Sequence, residues 1–309
     1  MSERGRFRSV RVGVFYGGES SERDVSLRTG AAAAAALRRK GYDVVDIDIH
    51  GDWLGQIREA GIGVALIALH GRYGEDGCIQ GALELARIPY TGSGVAASAL
   101  TMSKVLAKRV VAAAGVPVAA DALYEGAGLV GAALPPFGLP LVVKPDREGS
   151  TVGISIVRSA DEWGPALVEA SKYDPRILAE AYIAGRELTV SIVNGRVLPA
   201  IEVRPKSGFY DYRSKYTAGE TEYVIPVPMP HEVLARATEY TRCAAQALSL
   251  RGAARIDYRV DPAGKLFFLE ANTIPGMTET SLLPKAARFD GLDFDDLVEE
   301  ILEDAGLNR

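Results

Sequence analysis

The first third of the chain alternates short apolar runs with a helical run, and this alternation limits the fold more than any other feature. Residues 10–16 (VRVGVFY) and 42–49 (YDVVDIDI) predict strands, and the alanine-rich segment 26–40 predicts a helix that stops at Gly41. Residues 63–71 (GVALIALHG) are continuously apolar, which is typical of a strand covered on both faces. Such alternation predicts a parallel sheet with helices on both sides.

From about Met102 the pattern changes to helices mixed with strand pairs. The dipeptide Asn194-Gly195, a strong hairpin signal, joins two strand-like runs. The turn DPAG separates a second pair, ARIDYRV and KLFFLE. A length of 309 residues allows two or three domains. The sequence therefore predicts an α/β and α+β protein, with a parallel N-terminal domain and two later portions built on antiparallel sheet.

Composition argues against several classes of protein. The net charge is −5 and no long basic block occurs, so nucleic acid is not an expected partner. No run of about 18 apolar residues predicts a membrane span, and the N-terminus lacks the apolar core of a signal peptide. We therefore expect a cytoplasmic protein without a membrane partner. The three histidines are too scattered for a zinc site.

The apolar strand KLFFLE ends in Glu270 and runs directly into the turn sequence ANTIPGM. This raises the question of what the Glu270 carboxylate does at the end of a buried-looking strand. Side chains alternate along a strand, so Arg255 and Asp257 share one face of ARIDYRV. By the same alternation Phe268 and Glu270 share a face, and Asn272 continues it. With a short DPAG loop, Asp257 is predicted opposite or diagonal to Glu270.

Two adjacent carboxylates in a partly buried site repel unless a cation lies between them. The oxygens of Asp257, Glu270 and Asn272 are hard ligands that suit Mg²⁺, which keeps several waters and shares phosphate oxygens. The alternative is a solvated hairpin with ordinary surface charges. The turn Pro275-Gly276 favours the metal site, because glycine lets the backbone approach a ligand closely.

A second cluster is VVKPDREGSTVG at residues 142–153. Lys144 ends an apolar strand, and the loop after it contains Gly149 and Gly153, whose amides are unobstructed. Such a loop can wrap phosphate oxygens while the lysine neutralises charge. It is not a Walker motif, and an ordinary hairpin loop is the alternative.

A third motif, GSGVAA at residues 92–97, matches the dinucleotide fingerprint GxGxxA, with Asp121 downstream as the ribose-binding acid. It would indicate an NAD-binding oxidoreductase. However, that fingerprint normally follows the first strand of its domain, and three predicted strands precede it here. We interpret it as a turn between domains.

Six motifs follow one another along the chain: GGESSERDVSL, ALHGRYGEDG, VVKPDREGSTVG, YDYRSKY, ARIDYRVD and LEANTIPGMTETSL. In that order they resemble the D-alanine–D-alanine ligases of the ATP-grasp superfamily, and the similarity covers essentially the whole chain. The resemblance implies a Rossmann-like α/β substrate domain at residues 1–93, followed by a two-part ATP-grasp fold. Its central subdomain would span residues 94–184. Its C-terminal subdomain, 185–309, would carry the metal site and a lid loop at 205–223.

The resemblance also implies the reaction. ATP phosphorylates the carboxylate of one D-alanine, and the amine of a second attacks the D-alanyl phosphate to give D-alanyl-D-alanine for peptidoglycan precursors. Two Mg²⁺ ions, with Mn²⁺ as an alternative, a monovalent cation such as K⁺, and a homodimer are implied as well. D-Lactate or D-serine as the acceptor, or a non-catalytic ATP-grasp regulator that binds ligand, are the alternative functions.

By the same resemblance, single residues receive roles. ATP would be bound by Lys104, Lys144, Ser150, Thr151, Glu180, Tyr182, Ile183 and Glu187, with Glu180 at the adenine amino group and Glu187 at the ribose. The two D-alanines would lie against Glu22, His70, Lys215, Ser281 and Leu282. Catalysis would depend on Glu22, Ser150, Tyr216, Arg255 and Gly276. The metal ligands would be Asp257, Glu270 and Asn272.

Overall fold

The computed structural model describes residues 5–129, 131–149, 151–206 and 219–309. Its N-terminal part is a parallel sheet of three strands in the order β2-β1-β3, which confirms the predicted parallel arrangement. The strands are β1 (Val12–Gly17), β2 (Val44–Ile49) and β3 (Val64–Ile67). The helices of this half are α1 (Arg23–Arg39), α2 (Trp53–Glu59), α3 (Cys78–Ala86), α4 (Val95–Met102) and α5 (Lys104–Ala113).

The dinucleotide-like motif at residues 92–97 follows all three strands of this sheet and runs into α4, which begins at Val95. It therefore does not occupy the turn after the first strand, where a dinucleotide-binding domain has its glycine motif. Only residues 92–94 of the motif form a connection, because residues 95–97 belong to the first turn of α4.

The central sheet is antiparallel, in the order β4-β7-β5-β6. Its strands are β4 (Asp121–Glu125), β5 (Leu141–Pro145), β6 (Ser155–Val157) and β7 (Arg176–Ala181). Helix α6 (Trp163–Ser171) packs on it through Trp163 and Leu167. A 3₁₀ turn (Ala160–Glu162) leads into α6, and Ser159 caps it in a reciprocal capping box with Glu162. A second 3₁₀ turn is Gly126–Leu129.

The C-terminal sheet has the order β11-β10-β8-β12-β13, with β9 beside β8. Its strands are β8 (Arg186–Val193), β9 (Arg196–Val197), β10 (Ile201–Pro205), β11 (Thr221–Val224), β12 (Ala253–Val260) and β13 (Leu266–Asn272). The predicted turn at Asn194-Gly195 joins β8 to β9. The run after it was predicted as one strand, which is wrong: it divides into β9 and β10 around Pro199, which has no N–H to donate to a ladder.

Strands β12 and β13 pair as predicted, with Asp257 directly opposite Glu270. The face assignment on β13 was wrong, because a bulge shifts the register: Tyr258 pairs with Phe268, and Leu269 is the extra residue. Phe268 consequently packs edge-on against the buried ring of Tyr258, while Glu270 shares the opposite face with Asp257. Because of the bulge, β13 places the side chain of Phe268 in the core and the carboxylate of Glu270, two residues later, on the opposite face.

The last helices return to the N-terminal half of the chain. They are α7 (His231–Ala247), α8 (Leu282–Phe289) and α9 (Phe294–Glu303), and α9 packs its buried residues Leu297 and Ile301 into the same core as Leu37 of α1. Tyr42 donates a hydrogen bond to Glu303 over 2.6 Å. None of the helices in the described ranges is long and apolar enough to cross a membrane.

Candidate active site

A cleft of about 820 Å³ lies where the three sheets meet. Its walls include every predicted site residue that the structure describes. These are Glu22, His70, Lys104, Lys144, Thr151, Glu180, Tyr182, Ile183, Glu187, Arg255, Asp257, Glu270, Asn272, Gly276, Ser281 and Leu282. Ser150, Lys215 and Tyr216, and positions 207–218 of the predicted lid, lie outside the described residues. Segments that are far apart in the sequence thus converge on one space.

The two paired carboxylates each meet a positive side chain. Asp257 is buried and accepts hydrogen bonds from Arg255, with Nε–Oδ1 and Nη2–Oδ2 distances of 2.9 Å. Thr189 donates to the same carboxylate over 2.5 Å. Glu270 Oε2 lies 3.4 Å from the Nζ atom of Lys104. The repulsion expected between the carboxylates is therefore offset by an arginine and a lysine.

The amide of Asn272 joins the C-terminal sheet to the N-terminal half. In the orientation that satisfies both of its ends, its Nδ2 donates to Glu75 Oε1 over 2.9 Å. Its Oδ1 then accepts from Arg255 Nη2 over 3.2 Å. The other oxygen of Glu75 accepts from the N–H of Gly71 over 2.7 Å. Glu75 thus fixes which atom of Asn272 faces Arg255 and Asp257.

Two titratable groups, the buried His70 and the half-buried Glu75, line the cleft. Burial, reinforced by the carboxylate of Glu22, raises the pKa of Glu75 to about 8. Burial lowers the pKa of His70, although Glu22 acts in the opposite direction. At neutral pH His70 is therefore uncharged, and its Nε2 lies 3.3 Å from the hydroxyl of Thr29. This part of the cleft can recognise a polar ligand without adding a full positive charge from the imidazole.

Two lysines and a glutamate form a buried group, of which Lys144 and Glu180 line the cleft. Lys144 donates to Glu180 Oε1 over 2.5 Å, and Lys108 donates to Oε2 over 2.8 Å. Burial alone would raise the pKa of Glu180, but the two ammonium groups outweigh it and lower that pKa to about 2. Lys108 also lies 3.1 Å from Asp121 Oδ2. The carboxylate stays ionised and holds Lys144 at the edge of the cleft.

The loop after β5 contacts the N-terminal half through its backbone. Lys104 donates to the carbonyl of Glu148 over 2.6 Å. A Cβ atom at Gly149 would fall 2.8 Å from Glu22 Oε2, so a larger residue there would displace the Glu22 carboxylate. Thr151 has a φ of +63°, a left-handed conformation that is unusual for a β-branched residue. Strain of this kind concentrates at ligand clamps.

Ser281 stands at the N-cap position of α8, where simple helix capping was the alternative to a ligand role. Its hydroxyl accepts from the N–H of Thr278 over 3.2 Å and lies 2.8 Å from Thr278 Oγ1. The hydroxyl thus belongs to the turn that follows Gly276, on the cleft wall.

The donor set at the hairpin fits Mg²⁺. Asp257 and Glu270 lie opposite each other, and Asn272 contributes an amide, so the available ligands are all oxygens. Among the described residues, no group of three or more His, Cys, Asp or Glu side chains is arranged to hold a metal. Two carboxylates and an amide do suit an ion that completes its shell with water and phosphate oxygens.

Sequence reasoning missed four residues that shape this site: Glu75, Lys108, Thr189 and Arg259. Glu75 lies within the motif ALHGRYGEDG, but one acidic residue in a polar loop gives no sign of burial. Lys108 follows Lys104 by four residues, so both lie on the same side of α5, and this spacing could have indicated it. Thr189 and Arg259 gave no recognisable signal.

Comparison with known proteins finds similarity over almost the whole chain. The family models described as the D-ala D-ala ligase N-terminus and C-terminus match residues 55–93 and 121–303. A D-alanine–D-alanine ligase of Syntrophotalea carbinolica is 49% identical over 99% of this chain and 100% of its own length. The Bacillus anthracis D-alanine–D-alanine ligase solved in complex with ATP is 33% identical, with a TM-score of 0.83 over 96% of this chain and 97% of that one. The VanG D-Ala:D-Ser ligase of Enterococcus faecalis is 27% identical, with a TM-score of 0.81 over 94% and 98%.

Proposed function

The chain belongs to the D-alanine–D-alanine ligase family, and from that premise we infer that it is an ATP-dependent ligase that joins two D-alanines. ATP phosphorylates the carboxylate of the first D-alanine. The amine of the second attacks the D-alanyl phosphate, and loss of phosphate leaves D-alanyl-D-alanine, a precursor of peptidoglycan. The observation that carries this proposal is the paired Asp257 and Glu270 in a cleft that also collects Arg255, Lys104 and Lys144.

Phosphoryl transfer asks a protein mainly to position the reactants and to neutralise charge. We propose that Asp257, Glu270 and Asn272 hold two Mg²⁺ ions, with Mn²⁺ as a substitute. When bound, the metal would neutralise phosphate oxygens. Arg255 hydrogen-bonds Asp257, so a metal on that carboxylate would compete with the guanidinium for its oxygens. Arg255 would then be available, with the N–H of Gly276, for the oxygen that becomes negative in the transition state.

For the nucleotide, we propose that Lys144, Lys104 and the loop containing Ser150 and Thr151 contact the phosphates. The backbone at Tyr182 and Ile183 would contact adenine, and Glu187 would accept from the ribose. Glu180 already binds two lysines, but each carboxylate oxygen has a second lone pair, so it can also accept from the adenine amino group.

For the amino acids, we propose that Glu22 binds the ammonium group of the first D-alanine, with neutral His70 nearby. Ser281 and Leu282, with Ser150 and Tyr216, would surround the second, and Lys215 would also contact substrate. Glu22 lies against the loop of Gly149, so the ammonium site and the phosphate loop adjoin. This contact would place the carboxylate of the first substrate next to the transferred phosphoryl group.

Further proposals depend on the family resemblance. They are the domain bounds 1–93, 94–184 and 185–309, a lid at 205–223, a homodimer, activation by a monovalent cation such as K⁺, and a cytoplasmic location. A lid has a chemical reason, because an acyl phosphate must be kept from water.

The acceptor is tested by identifying the product. D-Alanine is supplied with ATP and Mg²⁺, either as the only acceptor or together with an equal concentration of D-serine or D-lactate. The products are then separated by chromatography. We expect D-alanyl-D-alanine as the main product near pH 7. A dominant D-alanyl-D-serine or D-alanyl-D-lactate product would assign the chain to a different ligase, and the VanG neighbour makes D-serine the first competitor to test.

A further inference from the structure

Arg259 contacts three acceptors on the wall of the cleft. It lies near the end of β12, directly opposite Glu187 on β8. Its Nε donates to the carbonyl of Ile183 over 3.2 Å, and its Nη2 donates to the carbonyl of Gly185 over 2.8 Å. Its Nη1 lies 3.6 Å from Glu187 Oε2. One guanidinium thus binds both the connection between β7 and β8 and the carboxylate that follows it.

The surroundings make this contact rigid. The side chains of Arg259 and Glu187 are 19% and 17% exposed, so water screens their pairing only in part. Gly185 has a φ of +131°, and a Cβ atom there would fall 2.1 Å from the carbonyl of Val260. The β7–β8 connection is therefore pressed against β12, and the planar guanidinium fork fixes the carbonyls on either side of Ala184.

We propose that Arg259 is a positioning residue for nucleotide selection: it orients Glu187 and the β7–β8 connection so that the enzyme distinguishes a ribose from a deoxyribose. The inference rests on the proposed placement of ATP, in which Glu187 accepts from the ribose. A carboxylate that must accept from a sugar hydroxyl selects for that hydroxyl only if its rotamer is fixed, because a mobile side chain turns to water when the hydroxyl is missing.

The test uses four variants of the full-length protein. They are Arg259→Met, Arg259→Lys, Glu187→Gln and the double variant that combines Arg259→Met with Glu187→Gln. The exposed helix residue Arg242 supplies a matched control, Arg242→Met, which also removes one positive charge. KM and kcat are measured with ATP and with its 2′-deoxy and 3′-deoxy analogues. Binding of ADP and of the matching deoxy diphosphates is measured by calorimetry without D-alanine.

We expect Arg259→Met to raise the KM for ATP and the Kd for ADP by about tenfold, the loss typical of a hydrogen bond between charged groups. The value of kcat should change by less than about twofold, because no reacting atom is touched. For the deoxy analogue that wild type rejects, kcat/KM should fall less than for ATP. The discrimination ratio, which is kcat/KM for ATP divided by kcat/KM for that analogue, should therefore decrease. Arg259→Lys should restore part of the ratio, since a point charge replaces the fork. In the Glu187→Gln background the ratio should shrink no further.

Equal losses for ribose and deoxyribose nucleotides, or an unchanged ratio, would overturn the inference and leave Arg259 a structural anchor. Wild type that discriminates against neither deoxy analogue would overturn it as well. A failure of the proposed function can be told apart from these outcomes, because the wild-type protein would then not consume ATP in the presence of D-alanine.

Discussion

Asp257 and Glu270 lie directly opposite each other on adjacent antiparallel strands, and each carboxylate meets a cation from elsewhere in the cleft. Arg255 contacts the first and Lys104 lies 3.4 Å from the second. Two positively charged side chains therefore offset the charge of these carboxylates. Removing one carboxylate should affect catalysis far more than folding.

Glu270→Gln should lower turnover on the order of a hundredfold or more, because a neutral amide is a weaker Mg²⁺ ligand. The free energy of unfolding without metal should change by less than about 1 kcal/mol, since the side chain is 30% exposed and its pair with Lys104 is screened. Steady-state kinetics over a range of Mg²⁺ and urea unfolding test the two parts. Glu232→Gln, on the exposed surface of α7, is the control; near-normal turnover of Glu270→Gln at saturating Mg²⁺ would make Glu270 an ordinary surface charge.

Glu75→Ala should raise the Mg²⁺ concentration for half-maximal activity by about tenfold, a usual effect of losing the partner of a metal ligand. Without Glu75, the amide of Asn272 is free to turn its nitrogen toward the metal site. Glu75→Gln should have a smaller effect, because the raised pKa keeps Glu75 largely neutral at pH 7 and the amide keeps one acceptor. Binding of Mn²⁺ in the presence of ADP, followed by electron paramagnetic resonance, gives a readout apart from turnover. Unchanged Mn²⁺ affinity in Glu75→Ala would contradict this role.

Lys108→Met should destabilise the protein by about 3 kcal/mol, because it leaves the buried Glu180 and Asp121 short of a cation. The neighbouring Arg109 also pairs with Asp121, but its side chain is 56% exposed. Arg109→Met should therefore cost less than about 1 kcal/mol. Urea unfolding of both variants makes the comparison, and similar losses would mean that burial does not decide the strength of these pairs.

The pKa of Glu180 gives a prediction about acid stability. Its folded value of about 2 lies below the ordinary 4.5, so its contribution is complete above about pH 4.5 and is lost as the pH falls toward 2. The contribution is on the order of 3 kcal/mol. The difference in unfolding free energy between wild type and Glu180→Gln, which cannot titrate, should narrow between pH 5 and pH 3. A constant or widening difference would show that Glu180 is not the titrating group.

Much of the site could be predicted from local pattern. Alternation along ARIDYRV and a short turn predicted Asp257 opposite or diagonal to Glu270, and the structure pairs the two directly. Alternation could not locate the bulge at Leu269, because an inserted residue leaves both flanking patterns intact. The face shared by Phe268 and Glu270 was therefore mispredicted, although the pairing was right.

The parts of the site and fold that the sequence did not predict depend on contacts between distant segments. The bond between Lys108 and Glu180 joins residues 72 positions apart, and the bond between Glu75 and Asn272 joins the two halves of the chain. No periodicity encodes such pairs. The packing of α9 on α1 is likewise absent from the sequence pattern, which shows only that α9 is amphipathic.

The central claim is that this cleft couples ATP consumption to the joining of D-alanine. The direct measurement is ADP release by the purified protein with ATP and Mg²⁺, in the presence of D-alanine, of L-alanine or of no amino acid, with the dipeptide quantified in the same samples. We predict ADP release that requires both D-alanine and Mg²⁺, with one D-alanyl-D-alanine formed for each ADP. Equal ADP release with L-alanine or without any amino acid, or release with D-alanine but no dipeptide, would contradict it.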